Sequence, residues 1–147
     1  MISTNNQNMS DSTTTINITN QIDLNLAERG FIPESQIRSV ILNDVLVDTG
    51  ATRLCLPENI ILELGLPFQG EADVKIATGV EKVRVFKMLN LSVEGREGVF
   101  NCIELPENCD PLLGLIPLED LGLEPDLNNQ KLRVSPELGK DTYLTVL

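Results

Sequence analysis

The chain has 147 residues, 41% of them apolar and 3% aromatic, with 11 basic against 22 acidic side chains and a formal charge of −11. That length suits one domain with a core built mainly from Leu, Ile and Val, while the charge disfavours nucleic acid and anionic membrane surfaces as partners. No histidine occurs, which excludes Ser-His-Asp and Cys-His catalysis and removes the commonest zinc ligand.

Residues 1 to about 12, rich in Ser, Thr and Asn, have nothing to bury and are expected to form a flexible tail, with the domain following over 13–147. The N-terminus shows neither a basic nor an apolar leader segment, and no apolar run approaches the ~20 residues that span a bilayer. The expectation is a cytoplasmic protein without a membrane partner. On that expectation the three Asn-x-Ser/Thr triplets, at Asn8, Asn17 and Asn90, are chance matches.

"TTINITN" (13–19) alternates Ile16 and Ile18 with polar residues, the pattern of a half-exposed strand. The next stretch is expected to continue as a strand through Ile22, Leu24 and Leu26 and to turn at Gly30 and Pro33. "QIRSVILNDVLVD" reads as a long strand, or a hairpin broken at Asn43-Asp44. "LPENIILELGLP" predicts a short helix, with Pro57 in its first turn, Glu58 at its positive end and Gly65 as its stop. "ADVKIATGVEKVRVF" predicts a hairpin with Thr78-Gly79 at its tip, and "KMLNLSVEGREGVFNCIEL" a second one turning at Glu94-Gly95-Arg96. "PENCDP" is a loop. Leu112, Leu113 and Gly114 precede a short helix carrying Leu115, Leu118 and Leu121. "QKLRVSPEL" and the terminal "TYLTVL" supply the last strands. Many short strands with one or two short helices make a mostly-β barrel or sandwich.

Cys55, Cys102 and Cys109 are odd in number and lack metal-site spacing, so they read as reduced thiols, and a catalytic cysteine would lack its histidine base. Asp48 is more pointed. Val45, Leu46 and Val47 form an apolar strand end, and a carboxylate placed there must be hydrogen-bonded, paired or protonated. It is either a turn cap or a functional acid. A phosphate-accepting aspartate would be followed by lysine, whereas Thr49 stands here.

Three features occur in one order: an apolar strand ending in Asp48-Thr49-Gly50-Ala51-Thr52, a glycine-tipped hairpin over about 72–86, and Leu112-Leu113-Gly114 before a short helix. Over about residues 35–135 this resembles the retropepsin-like aspartic proteases, especially their small single-domain prokaryotic members. The resemblance implies a closed β-barrel acting as a symmetric homodimer, and an aspartic endopeptidase that needs neither cofactor nor metal. Such an enzyme needs two carboxylates sharing a proton around one water. The chain contains one Asp-Thr-Gly, so Asp48 from each of two subunits must meet on the two-fold axis.

By the same resemblance, Thr49 braces the two loops across the axis, and Gly50 admits the substrate's main chain. Ala51 lines the pocket, and Ala77, Thr78 and Gly79 form a flap tip over an extended peptide or unfolded protein segment. Leu112, Leu113 and Gly114 would pack beneath the loop, and "TYLTVL" would interleave at the dimer interface. Two places depart from the retroviral pattern: Thr52 and Leu115 stand where an acid and an arginine are usual, so an ion-pair network bracing the dimer is missing. A catalytically silent dimerisation or peptide-binding module of the same fold is the alternative, and a β-rich domain that only resembles the family is a third.

Overall fold

The computed structural model describes residues 12–106 and 108–135. The expected N-terminal tail, except for Ser12, and the expected "TYLTVL" strand lie outside the described residues. The described chain is mostly β, with nine strands and three short helices rather than one or two.

Strand β1 (Ser12–Asn20) follows its alternating pattern, burying Ile16 and Ile18 completely while Thr13, Thr15 and Asn17 face out. Beyond it the structure corrects the expected strand through Ile22, Leu24 and Leu26, because residues Gln21–Glu28 form a helix, α1. Asn20 starts it: its side-chain oxygen accepts the Asp23 amide at 3.0 Å, satisfying one of the donors a helix start leaves open. The Asn20 amide group donates to the Leu64 and Gly65 carbonyls at 2.9 and 3.3 Å. The helix turns Asp23 inward and leaves Ile22 exposed. Arg38 holds that buried carboxylate, through Nε at 2.8 Å, Nη2 at 3.0 Å and its own main-chain amide at 3.0 Å. The bidentate bond depresses the Asp23 pKa below the usual carboxylate value.

Strand β2 (Ser39–Val47) is continuous, not a hairpin. At Asn43-Asp44 it bulges against β1, with Thr14 opposite Val45 but Ile16 opposite Leu42, and Asp44 adopts φ +57°. A short polar side chain tolerates that left-handed conformation, so Asn43-Asp44 marks a bulge instead of a turn. A loop leads to β3 (Leu54–Pro57) and helix α2 (Glu58–Leu64), for which Pro57 is the extended residue just before the first turn. Gly65 ends it at φ +63°. There is no room for a side chain at Gly65, because the Arg38 guanidinium occupies the space.

Strand β4 (Phe68–Ile76) pairs antiparallel with β5 (Gly79–Val93) through the two-residue turn Ala77-Thr78. β5 runs on past a bulge at Lys87-Met88 into the second hairpin with β6 (Arg96–Leu105). Glu94 and Gly95 both have positive φ, 51° and 77°, as a type I′ turn requires. After the loop come β7 (Leu112–Leu113), helix α3 (Leu115–Asp120), and β8 (Leu123–Asp126) paired with β9 (Lys131–Val134) as a separate two-stranded sheet.

The main sheet runs β1-β2-β7-β3-β6-β5-β4, and β1 also pairs with β5 over Asn17–Asn20 against Leu89–Ser92. The sheet therefore returns on itself as a ring of six strands, with β4 attached outside it. Ile16, Ile18, Leu54, Leu56, Leu89, Leu91 and Leu113, all 0% exposed, fill its interior with Phe86 and Leu118. Each such side chain contributes about 1.5–3 kcal/mol by leaving water. Among the described residues no helix is long and apolar enough to cross a membrane.

Candidate active site

The site is built where the two-residue strand β7 slots between β2 and β3. It runs parallel to β2, with Leu46 beside Leu112 and Val47 beside Leu113, and antiparallel to β3 at Cys55. The Asp48 amide adds one more rung, donating to the Leu113 carbonyl at 3.0 Å. The chain then turns sharply. Ala51 N–H donates to the Asp48 carbonyl at 3.0 Å, and Gly50 N–H donates to Asp48 Oδ1 at 2.9 Å. This is the side-chain-capped turn of an aspartate.

The far side of the loop is fixed by the start of α3. Leu115 N–H donates to the Ala51 carbonyl and Ile116 N–H to the Thr52 carbonyl, both at 2.9 Å. Gly114 closes the clamp, because a β-carbon there would run into the main chain of Thr52 and Arg53. Leu112, Leu113 and Gly114 thus pack against the Asp48 loop as scaffold, through main-chain bonds and close contact.

Asp48 is half-buried at one wall of a cleft of about 700 Å³. Only Oδ1 is engaged. Oδ2 has no hydrogen-bond partner among the described residues. The loop supplies Gly50, Ala51, Thr52 and Arg53 to the cleft, β6 and the chain beyond it supply Ile103, Glu104, Leu105 and Pro106, and the β4–β5 hairpin supplies Val74, Ile76, Glu81 and Val83. The surface facing Asp48 is largely aliphatic, with charges at intervals. Asp73 pairs with Lys82 at 3.3 Å and Glu104 with Arg84 at 2.6 Å. Beneath the loop, burial and then the nearby Asp48 charge push the Cys55 thiol up to about 11, while burial pushes Cys102 up to about 12. Both thiols stay protonated and unreactive at neutral pH.

The residues singled out from the sequence separate into three places. Asp48, Gly50 and Ala51 come together in the cleft lining. Thr49 sits on the outer side of the turn, exposed, its hydroxyl without a partner among the described residues. Ala77, Thr78 and Gly79 are exposed at the hairpin tip, and the hairpin's arms rather than its tip line the cleft. Arg53 and Glu81 were not singled out. The signal for Arg53 was its place in the same loop, five residues after Asp48. Glu81 could be found only from the pairing that sets it opposite Val74.

A carboxylate with one oxygen anchored by a backbone amide and the other open to a groove can orient and deprotonate a water. It cannot alone donate the second proton that an amide hydrolysis needs. Compared with protein families, residues 39–116 match the family described as aspartyl protease. The match runs from β2 through the Asp48 loop, both hairpins and β7 to the first turn of α3, just over half of the chain. No curated protein matches the sequence.

Proposed function

This chain belongs to the aspartyl protease family, and from that membership we propose an aspartic endopeptidase that works as a symmetric homodimer, with one Asp48 from each subunit forming the catalytic pair. The observation that carries it is the state of Asp48: a carboxylate held by Gly50 N–H, with no partner for Oδ2 among the described residues, at the wall of a largely aliphatic cleft. The second carboxylate must come from another copy, because the chain has a single Asp-Thr-Gly.

In the dimer the two carboxyls share one proton, since like charges that close cannot both ionise, and their titrations belong to the pair. The ionised member takes a proton from water as its oxygen attacks the peptide carbonyl. The protonated member donates to the developing oxyanion. Collapse of the tetrahedral intermediate then breaks the C–N bond and passes a proton to the departing amine. Neither a cofactor nor a metal enters these steps.

The remaining roles follow the family likeness. Thr49, exposed and with no hydroxyl partner among the described residues, hydrogen-bonds its counterpart across the axis on this reading. Gly50 lets the substrate backbone approach where a side chain would obstruct, and Ala51 lines the pocket beside it. Ala77, Thr78 and Gly79 close over the substrate when the hairpin moves inward. A peptide or unfolded protein segment lies extended along the cleft, bound through its main chain. The domain extends over 13–147, and the protonated thiols of Cys55 and Cys102 suit a reducing, cytoplasmic setting.

The test is cleavage of a mixed peptide library between about pH 4 and pH 7 by the wild type and Asp48→Asn, the acid side of neutral being where a shared-proton pair works. Cleavage that disappears in the variant supports the enzyme. A folded dimer that binds peptides but cuts none points to the silent module, and a monomer without cleavage reduces Asp48 to a turn cap.

A further inference from the structure

Arg53 directly follows the Asp48 loop and lines the same cleft. Its main chain is immobilised from three sides. The preceding carbonyl, of Thr52, accepts from Ile116, its own carbonyl accepts from Cys55 Sγ at 3.6 Å, and Gly114 packs against its amide. The side chain is the opposite: exposed, with no ion pair or hydrogen bond among the described residues.

Although the chain has twice as many acids as bases, six of the ten described cations, Arg53 among them, hold no carboxylate among the described residues. Arg38, Lys82, Arg84 and Arg133 each have one. What sets Arg53 apart is its place in the loop that carries Asp48. The acids of the cleft do not neutralise it. Asp73 and Glu104 are taken by Lys82 and Arg84, and neither Glu81 on the hairpin wall nor Asp48 in the loop bonds to it among the described residues. Lys75, the other cation of the lining, stands on β4 and not in the loop that carries Asp48. Arg53 is therefore the cation that the catalytic loop itself presents to the groove.

A guanidinium on a fixed backbone beside aliphatic surface is a preorganised receptor for a carboxylate, which it grips through two parallel hydrogen bonds. Resting on the protease reading above, we infer that Arg53 sets the specificity of the cleft and that the preferred substrates are peptides carrying an aspartate or glutamate side chain within a few residues of the bond that is cut. Repulsion from Glu81, which holds no cation among the described residues, confines that acid to the Arg53 end of the groove.

Matched peptides that differ only by Glu or Gln at one position test this, with kcat/KM measured for the wild type, Arg53→Gln and Arg53→Lys, and with binding of the same peptides to Asp48→Asn protein, which needs no cleavage. The exposed position makes all the Arg53 variants foldable. The expected result is a preference for Glu of about tenfold at one position, the scale of a charge-assisted hydrogen bond. It falls to about one in Arg53→Gln and is partly kept in Arg53→Lys, a point charge without the fork. An equal ratio in the wild type, or a ratio that survives in Arg53→Gln, overturns the inference. So does an Arg53→Gln protein that dimerises less but discriminates as before, since Arg53 then serves a subunit contact. Selective binding without any cleavage sinks the protease reading and leaves the carboxylate site standing. Cleavage without selectivity does the reverse, and absence of binding sinks both.

Discussion

Gly114 lies so close to Arg53 that a β-carbon on the glycine would stand 2.6 Å from the Arg53 amide nitrogen. Backbone atoms cannot step aside as the end of a flexible side chain can. The glycine is dictated by this contact and not by its dihedral, φ −91°, which any residue adopts. Through it, the loop that carries Asp48 is seated on the segment that joins β7 to α3. The adjoining Leu113, fully buried, ties that segment into the core.

Gly114→Ala is accordingly expected to cost about 1–3 kcal/mol of stability, the usual penalty for forcing a methyl group into filled space. The larger effect falls on the loop, because the amides of Leu115 and Ile116 shift away from the carbonyls of Ala51 and Thr52. Urea titration beside a peptide-cleavage assay checks this. Cleavage is expected to drop by a larger factor than the folded fraction does. An alanine variant with unchanged midpoint and rate would contradict the clamp.

Asp23 gives the fold an acid-sensitive element away from the site. Its carboxylate, 7% exposed, is gripped by Arg38, and that bond sets its pKa below the ordinary 3.8. A depressed carboxylate stabilises fully above its unfolded value and loses that contribution as the pH falls through its folded one. Unfolding followed from pH 7 down to about pH 2 is expected to show stability falling below about pH 4 in the wild type. Asp23→Asn is expected to be less stable by about 1–3 kcal/mol at neutral pH and flatter across the acid range. Parallel curves for the two proteins would remove Asp23 from the account.

The three thiols differ in a way that reports on the loop. Cys109 is exposed, whereas Cys55 and Cys102 are buried, with pKa values raised to about 11 and about 12. At pH 8 a thiol reagent is expected to label one cysteine per chain quickly and the other two only after denaturation. Removing the Asp48 charge, the second cause of the Cys55 shift, is expected to lower that pKa and quicken its labelling. Rapid labelling of all three in the native protein would mean that the strand pair β3–β6 opens readily.

The parts that were legible from the sequence are those fixed by neighbouring residues. The apolar run into Asp48 and the two hairpins depend on strand periodicity and local turn chemistry. Both hairpins form as expected, although the first turns at Ala77-Thr78, one residue before the expected Thr78-Gly79. Helix α1 was not legible, because Ile22, Leu24 and Leu26 alternate with a period of two. What overrides that pattern is the Asn20 cap together with Arg38, whose hold on Asp23 spans 15 positions of chain. At Asn43-Asp44 the same residue types that make turns make a bulge, and only the partner strand decides between them. The insertion of Leu112-Leu113 between β2 and β3 joins segments more than 50 residues apart, and of the β8–β9 pair only β9, within "QKLRVSPEL", was expected as a strand. At the site, Asp48 was readable from its motif. The exposed charge of Arg53 acquires meaning only when the cleft it lines is seen and none of the cleft's acids is found bonded to it.

The central claim, a catalytic pair assembled from two copies of Asp48, is tested most directly by mixing subunits. Wild-type and Asp48→Asn proteins are unfolded together in equal amounts, refolded, and assayed for peptide cleavage at constant total concentration. If each site needs an Asp48 from both subunits, random pairing leaves about a quarter of the activity of an all-wild-type sample. If each chain carries a complete site, about half remains, and the shared-carboxylate account is wrong.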